Sequence, residues 1–234
     1  AAQSLAAQAA LAIGNARLYE QQVHFADAMQ QSLLPAESPD LAGVEVGSVY
    51  ESSARLEVGG DVFDYTVLPD GRLAVVVGDV TGKGIDAAAD MAMTKFVFRS
   101  LAREHPEPSD LMRIANQVVL DEVEEGKFVT MLYLTVDPAT GEVVCSGAGH
   151  PEPRVVRPDG SVEELEARGL ALGIAPDQQY PEARTTLEPG ASVVLYTDGV
   201  VESRVDGELY GKERLDRLLG EQRALRAQQL ARAV

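Results

Sequence analysis

The chain has 234 residues, 45% of them hydrophobic, with a formal net charge of −17. That length can bury one good core, alone or with an appendage. The charge argues against a nucleic-acid backbone as partner, because binding one needs clustered Lys and Arg, and the absence of Trp argues against base-stacking platforms. The single cysteine, Cys145, leaves no internal disulfide framework and suits a reducing cytoplasm. No apolar run approaches about 18 residues and no signal-peptide pattern is present, so the expectation is a cytoplasmic chain with no membrane partner. The acidity is read either as simple solubility or, more sharply, as acid that coordinates cations.

The chain opens "AAQSLAAQAALAIGNARLYEQQ", without Met and already helical in composition, and so reads as a piece of a longer polypeptide that begins inside a helix. Residues 3–34 have high helix propensity, with apolar residues at Leu5, Leu11, Ala12, Leu18, Tyr19, Phe25, Met29 and Leu33. Leu11, Leu18 and Phe25 are a heptad apart, and Asn15 lies on or beside that stripe. Two readings stay open: a dimerising signalling helix, or an amphipathic helix packed on its own domain. Pro35 stops it. The expected division is a helix at 1–36 and a β-rich domain at 37–234, with a linker at 37–43.

Within the domain, "VEVGSVYES" at 44–52, "DVFDYTVL" at 61–68 and "RLAVVVGDV" at 72–80 are predicted strands, the last buried on both faces. The "DG" at 70–71 is a hairpin turn signal. The hairpin therefore sets Asp61, which begins one strand, beside Asp79, which ends the other. A Gly-rich turn then enters a helix over 81–104, and Ser109 is the expected N-cap of a helix over 108–123. Strands follow at 127–137 and 142–150, a strand and hairpin at 151–165, and a sharply turning loop at 169–177. Residues 183–203 read as a strand, a turn and a buried strand ending at Asp198-Gly199, and the rest as helix.

Asp61, Asp79 and Asp198 share one context, a strand end beside glycine: "GGD", "VVVGD" and "VVLYTDG". Carboxylates packed at a sheet edge repel strongly in low dielectric. Protonation or a metal would offset this, and oxygen-only ligands favour Mg²⁺ or Mn²⁺ over zinc. Any one "DG" is more often a turn; three acids ending apolar strands are harder to dismiss.

The ordered set "AMQQSLLP", "VGGDVFDY", "VVVGDVTGKGIDAAADMA", "FVTMLYLTVD", "SGAGHPEP", "GLALGI" and "VVLYTDGVVES" resembles the stage II sporulation E / RsbU-type branch of the metal-dependent PP2C-like (PPM) serine/threonine phosphatases, over about residues 28–220. The opening helix resembles the exit helix of a GAF-type sensor domain. The resemblance implies an α+β fold, an αββα sandwich of two antiparallel sheets flanked by helices, with two Mn²⁺ or Mg²⁺ ions at one edge. Its metal ligands carry over to Asp61, Asp79 and Asp198 and to the backbone carbonyl of Val80, with Asp79 bridging both ions. Gly82 and Gly84 would let backbone pass close to the site. The family closes with an Asp-rich strand that supplies a further ligand; this sequence ends at "AQQLARAV" before one, so the domain is expected to lack that strand and one metal position to be weak.

Such ions lower the pKa of a water that attacks the phosphorus of phosphoserine or phosphothreonine and neutralise charge on the phosphoryl oxygens. No nucleophilic cysteine is needed, and Cys145 reads as core. His150 is either a general acid on the leaving oxygen or a residue that orients its Gly-rich turn. Asp64 and Thr81 are candidate supports for the metal ligands, and Lys83 a solvated lysine or a phosphate contact. The resemblance implies as partners a phosphorylated anti-sigma factor antagonist, a small STAS-domain protein, and an upstream sensor domain in the same polypeptide, with a homodimer through the first helix. The output would be control of an alternative sigma factor. The alternatives are a catalytically silent regulator of the same fold and, on "GGD" alone, a nucleotide cyclase, which would need an acid and Phe after the motif where Val62 and Phe63 stand.

Overall fold

The computed structural model describes the chain except residues 1, 36–37, 52–59, 83–84, 125 and 206, and leaves out the side chains of 2–6, 26–27, 29–32, 85–88 and 205. Five strands form an antiparallel sheet in the order β1 (Asp61–Val67), β2 (Leu73–Val80), β3 (Val129–Val136), β4 (Glu142–Ala148) and β7 (Glu182–Thr186). A second sheet has β6 (Val162–Glu164), β5 (Arg154–Val156) and β8 (Ser192–Val194), in that order. A two-residue pair, β9 (Arg204–Val205) and β10 (Glu208–Leu209), lies outside both.

Side-chain alternation along the strands builds the layers. One face of the large sheet (Val62, Val76, Val80, Met131, Tyr133) packs on α2 (Ile85–Glu104) and α3 (Pro108–Glu122) through Met91, Phe98, Leu111 and Met112. Its other face (Phe63, Tyr65, Leu134, Val143, Cys145) meets Val155 and Val193 of the second sheet. The far side of that sheet, with Val156 and Tyr196, packs on Leu215 and Leu219 of α5 (Lys212–Glu221) and on Leu230 of α6 (Ala227–Ala233). The order is helix, sheet, sheet, helix, the αββα sandwich that the resemblance implied.

The long helix α1 (Ala2–Leu33) meets this body at its C-terminal end, where Leu33 is buried and its carbonyl accepts a hydrogen bond from Lys95 of α2. Between residues 7 and 25 every side chain is exposed except the half-buried Val23. Leu11, Leu18 and Phe25 are thus not packed on this chain's own domain.

The β1–β2 hairpin forms as expected, with Gly71 at φ +90° in the turn and its amide donating to Leu68 at 3.0 Å. Several boundaries differ. Residues 45–51 form no strand; Val44 makes a single bridge to Leu41, and Ser48 instead exchanges hydrogen bonds with the Gln228 side chain. Helix α3 is capped by Glu107 rather than Ser109, because Pro108 with its fixed φ takes the first helical position, and the Ser109 amide bonds Glu182. The last expected strand stops at Val194, is only half-buried, and gives way to a short helix, α4 (Asp198–Glu202).

Candidate active site

Register places the first two acids. Asp61 and Asp79 are directly paired across β1 and β2, and Asp79 is paired on its other side with Thr130 of β3. By alternation both acids lie on the face turned to the second sheet, at its edge. Gly60 keeps this corner bare: a Cβ there would collide with the Val80 carbonyl oxygen and the Asp79 carboxylate. The Gly60 carbonyl accepts from the Val80 amide at 3.1 Å, which fixes the two ends against each other. The second glycine of the "GGD" motif therefore has a steric reason, and the Val80 carbonyl belongs to the same corner as the two carboxylates.

The third acid comes from the second sheet. Past β8, Leu195 turns to the inter-sheet core, the buried Tyr196 turns outward, and Thr197 turns back in. Thr197 is the N-cap of α4, yet its hydroxyl caps no helix amide; it donates to Asp61 Oδ2 at 3.1 Å. Asp198, the exposed first residue of α4, follows. Asp198 is thus at a strand-to-helix corner and not at the strand end that the sequence suggested.

The electrostatics bind the three into one cluster. Burial, then the charges of Asp61 and Asp198, push the Asp79 carboxyl up to about 6, against a lowering by the Val80 amide. Burial also raises Asp61, with the Thr197 hydrogen bond opposing and the Asp198 charge reinforcing. The cluster is an open one: among the described residues no three His, Cys, Asp or Glu side chains close on a point tightly enough to hold an ion as they stand. A bare corner with a carbonyl, two carboxylates above their ordinary range and a third in electrostatic reach nevertheless fits hard divalent cations, which take oxygen ligands and remove that repulsion.

The other candidates separate cleanly. His150 is buried, 7% exposed, and its Nδ1 lies 3.0 Å from the Thr130 hydroxyl, beside Asp79's neighbour on β3. Burial pushes the imidazole down to about 4, with the Tyr196 backbone near the ring opposing it, while Nε2 is buried with no hydrogen bond of good geometry among the described residues. Thr81 clamps the chain leaving Asp79: its amide and hydroxyl both donate to the Phe128 carbonyl, at 3.1 and 2.9 Å, and its oxygen accepts from the Phe128 amide. Asp64 does not support the site. It sits on the opposite face of β1, fully buried, paired with Arg99 of α2 and 3.9 Å from Lys95. Cys145 is core, its thiol pushed up to about 12 by burial. Lys83 and Gly84 lie outside the described residues, and Gly82 takes a φ of +120°.

Sequence reading missed Thr130, Thr197 and Arg154. A Thr ahead of "DG" at the close of an apolar run was an N-cap signal for Thr197. Nothing local marked Arg154, whose side chain is 2% exposed and whose partner Asp216 is 62 residues away.

Comparisons with known proteins agree with this architecture. The family model "Stage II sporulation protein E (SpoIIE)" matches residues 69–234, well over half of the chain. The phosphoserine phosphatase RsbU of Bacillus subtilis is 30% identical over 215 residues, which is 91% of this chain and 63% of that protein. The chain spans 63% of that protein's length and 34% and 40% of the lengths of two further curated relatives. The RsbU and RsbW domains of a Mycobacterium tuberculosis protein superpose with a TM-score of 0.63 at 28% identity, over 77% of this chain and 49% of that one. The SiaA-PP2C domain of Pseudomonas aeruginosa shares the fold, with a TM-score of 0.76 at 18% identity over 94% of this chain and 88% of that one. On the family match, the sandwich and the ordered motifs together, the chain belongs to the Stage II sporulation protein E family, and its fold is the PP2C-like one.

Proposed function

We propose that this chain is a Mn²⁺- or Mg²⁺-dependent phosphatase that hydrolyses phosphoserine or phosphothreonine on an anti-sigma factor antagonist of the STAS type. The observation that carries this reading is the convergence of Asp61 and Asp79 on one sheet with Asp198 at the corner that follows the other: burial and then the charges of Asp61 and Asp198 raise Asp79, and burial reinforced by the Asp198 charge raises Asp61. Asp61, Asp79, the Val80 carbonyl and Asp198 would hold two divalent ions, which when bound supply an activated water and charge neutralisation for in-line attack on phosphorus. Gly60 keeps space at that corner, Thr197 orients Asp61, and Thr81 fixes the strand end behind Asp79. His150, held neutral and bonded to Thr130, suits the role of a turn-orienting residue better than that of a general acid.

The partner assignment rests on the RsbU and RsbW names of the relatives. The regulatory reading rests on α1. Its exposed heptad residues suit a parallel helical homodimer below an upstream sensor domain. Its end is tied through Lys95 to α2, and Lys95 lies beside Asp64 of β1, so a shift of α1 reaches the strand that starts at Asp61. Scrambling Leu11, Leu18 and Phe25 should change basal activity; unchanged activity removes this part.

A catalytically silent regulator is the second reading, favoured by the open state of the acid cluster. The experiment that separates them is Mn²⁺-dependent release of phosphate from a phosphorylated STAS protein. Release that Asp79→Asn abolishes supports the enzyme; binding of the phosphoprotein without release supports the silent regulator.

A further inference from the structure

The corner that carries Asp198 is gripped from behind by one buried cation. Arg154 of β5 extends on the outer side of the second sheet, away from the acids. Its guanidinium lies 5.7 Å from the centre of the Tyr196 ring, within cation–π range. The same group is anchored on three sides: Nε donates to Asp216 Oδ1 of α5 at 2.7 Å, Nη1 pairs with Glu164 Oε2 of β6 at 2.8 Å, and Nη1 also donates to the Glu152 carbonyl at 3.2 Å. Glu152 and Glu164 are in turn bridged by Lys212 and Arg168. The arginine is therefore held by α5, β6 and the 152 backbone at once, and it presses that assembly against a single ring.

That ring is one residue before Thr197 and two before Asp198. In an extended segment alternate residues face opposite ways, so a clamp on the outer face at Tyr196 sets where Thr197 points on the inner face. Among the described residues, Thr197 carries the only hydrogen bond between this corner and Asp61. Among the described residues the buried Tyr196 hydroxyl has no hydrogen-bond partner, so the ring is located by its face and not by its polar tip. A buried ion pair is a weak source of stability but a good device for holding one geometry.

We propose that Arg154 is a positioning residue for the metal site: by clamping the Tyr196 ring it holds the Tyr196–Thr197–Asp198 corner in register with Asp61 and Asp79. The proposal rests on the reading of those three acids as cation ligands. It assigns to a residue on the outer face a role in divalent-ion affinity that its contacts alone would class as structural.

The test uses the full chain and Mn²⁺ alone as probe. Arg154→Met is expected to weaken Mn²⁺ binding about tenfold, measured by electron paramagnetic resonance or calorimetry at a temperature where circular dichroism shows the variant folded. Arg154→Lys, which keeps the charge but not the planar fork, should recover part of that loss. Arg168→Met, which perturbs the same acidic pair without touching Tyr196, should leave the affinity within about twofold of the parent. In the metal-free chain Arg154→Met should also speed hydrogen exchange at the Val200 amide, which donates to the Thr197 carbonyl, about tenfold while leaving the β1–β2 ladder unchanged. A general structural role would instead speed exchange throughout and leave Mn²⁺ affinity per folded molecule at the parent value, and that result overturns the proposal. Should Arg154→Met fail to fold, Tyr196→Leu removes the platform and leaves the ion pairs of Arg154 in place; parent-like Mn²⁺ affinity there overturns the proposal equally. If the parent chain shows no Mn²⁺ binding that Asp79→Asn abolishes, the reading of the acids fails first and takes this inference with it.

Discussion

Asp61 and Asp64 are three residues apart on one strand and live in opposite electrostatic worlds. Asp64 faces the helices, has no exposure, and is met by Arg99 with Lys95 nearby. Asp61 faces the second sheet, is half-buried, and is met by a threonine hydroxyl and two further carboxylates. The difference teaches how to tell an acid that the chain neutralises itself from one that it leaves uncompensated. The chain supplies Asp64 with cations of its own, which is how buried carboxylates are ordinarily stabilised. It leaves Asp61 and Asp79 to repel each other, a cost that only an added cation or a proton relieves.

The contrast is broken most forcefully by neutralising one acid of each kind. Asp79→Asn should reduce Mn²⁺-dependent phosphate release about a thousandfold, or ~4 kcal/mol, while the metal-free protein melts no lower than the parent. Asp64→Asn should do the reverse: a loss of about 3 kcal/mol in denaturant unfolding, because two cations lose their shared partner, with the residual folded protein still binding Mn²⁺. If Asp64→Asn removed Mn²⁺ binding without destabilising the fold, the division between the two faces would be wrong.

Titration sharpens the same comparison. His150 has its folded pKa depressed to about 4 from 6.5, so it remains neutral in the fold. Its contribution to stability is present above the unfolded value and is lost as pH falls from about 6.5 towards 4, on the order of 3 kcal/mol at most. The difference in stability between the parent and His150→Gln should therefore shrink over that window. Asp79 has the opposite sign. Its folded pKa is raised to about 6, so its contribution is greatest below the ordinary carboxylate value near 4 and is lost as pH rises through about 6. The site is partly open to solvent, which screens the effect to about 1 kcal/mol. In metal-free protein this appears as a parent-minus-Asp79→Asn difference that grows less favourable between pH 4 and 7, and saturating Mn²⁺ should abolish it.

Of similar size to the Asp79 titration is the steric term at Gly60. Gly60→Ala forces a Cβ against the Val80 carbonyl and the Asp79 carboxylate and should cost about 1–2 kcal/mol of stability, with weaker Mn²⁺ binding. Unchanged stability and unchanged binding would mean that the corner is looser than its contacts imply.

How much of this was legible in the sequence follows from the range of the interactions. The pairing of Asp61 with Asp79 was readable because a two-residue turn signal lies between two apolar runs, and local register then fixes both acids. The ordered motifs carried the sandwich. The placement of Asp198 was read one step too simply, as a strand end: the ladder stops at Val194, Tyr196 packs with Leu215 and Leu219 of α5, and a short helix begins at Asp198. Asp64 was misjudged for a related reason: proximity in sequence suggested proximity to the site, whereas the period of two sends it to the other face. Arg154 was invisible, since its burial is created by Asp216, Glu164 and Tyr196 arriving from elsewhere in the chain.

The central claim is that two sheets bring three acids together to hold hard cations. Anomalous diffraction from Mn²⁺-soaked crystals tests it most directly. The expected result is strong manganese density in contact with the carboxylates of Asp61 and Asp79, with Asp198 turned towards it. Manganese density absent from that edge at saturating Mn²⁺, or found only on scattered surface carboxylates, would contradict the claim.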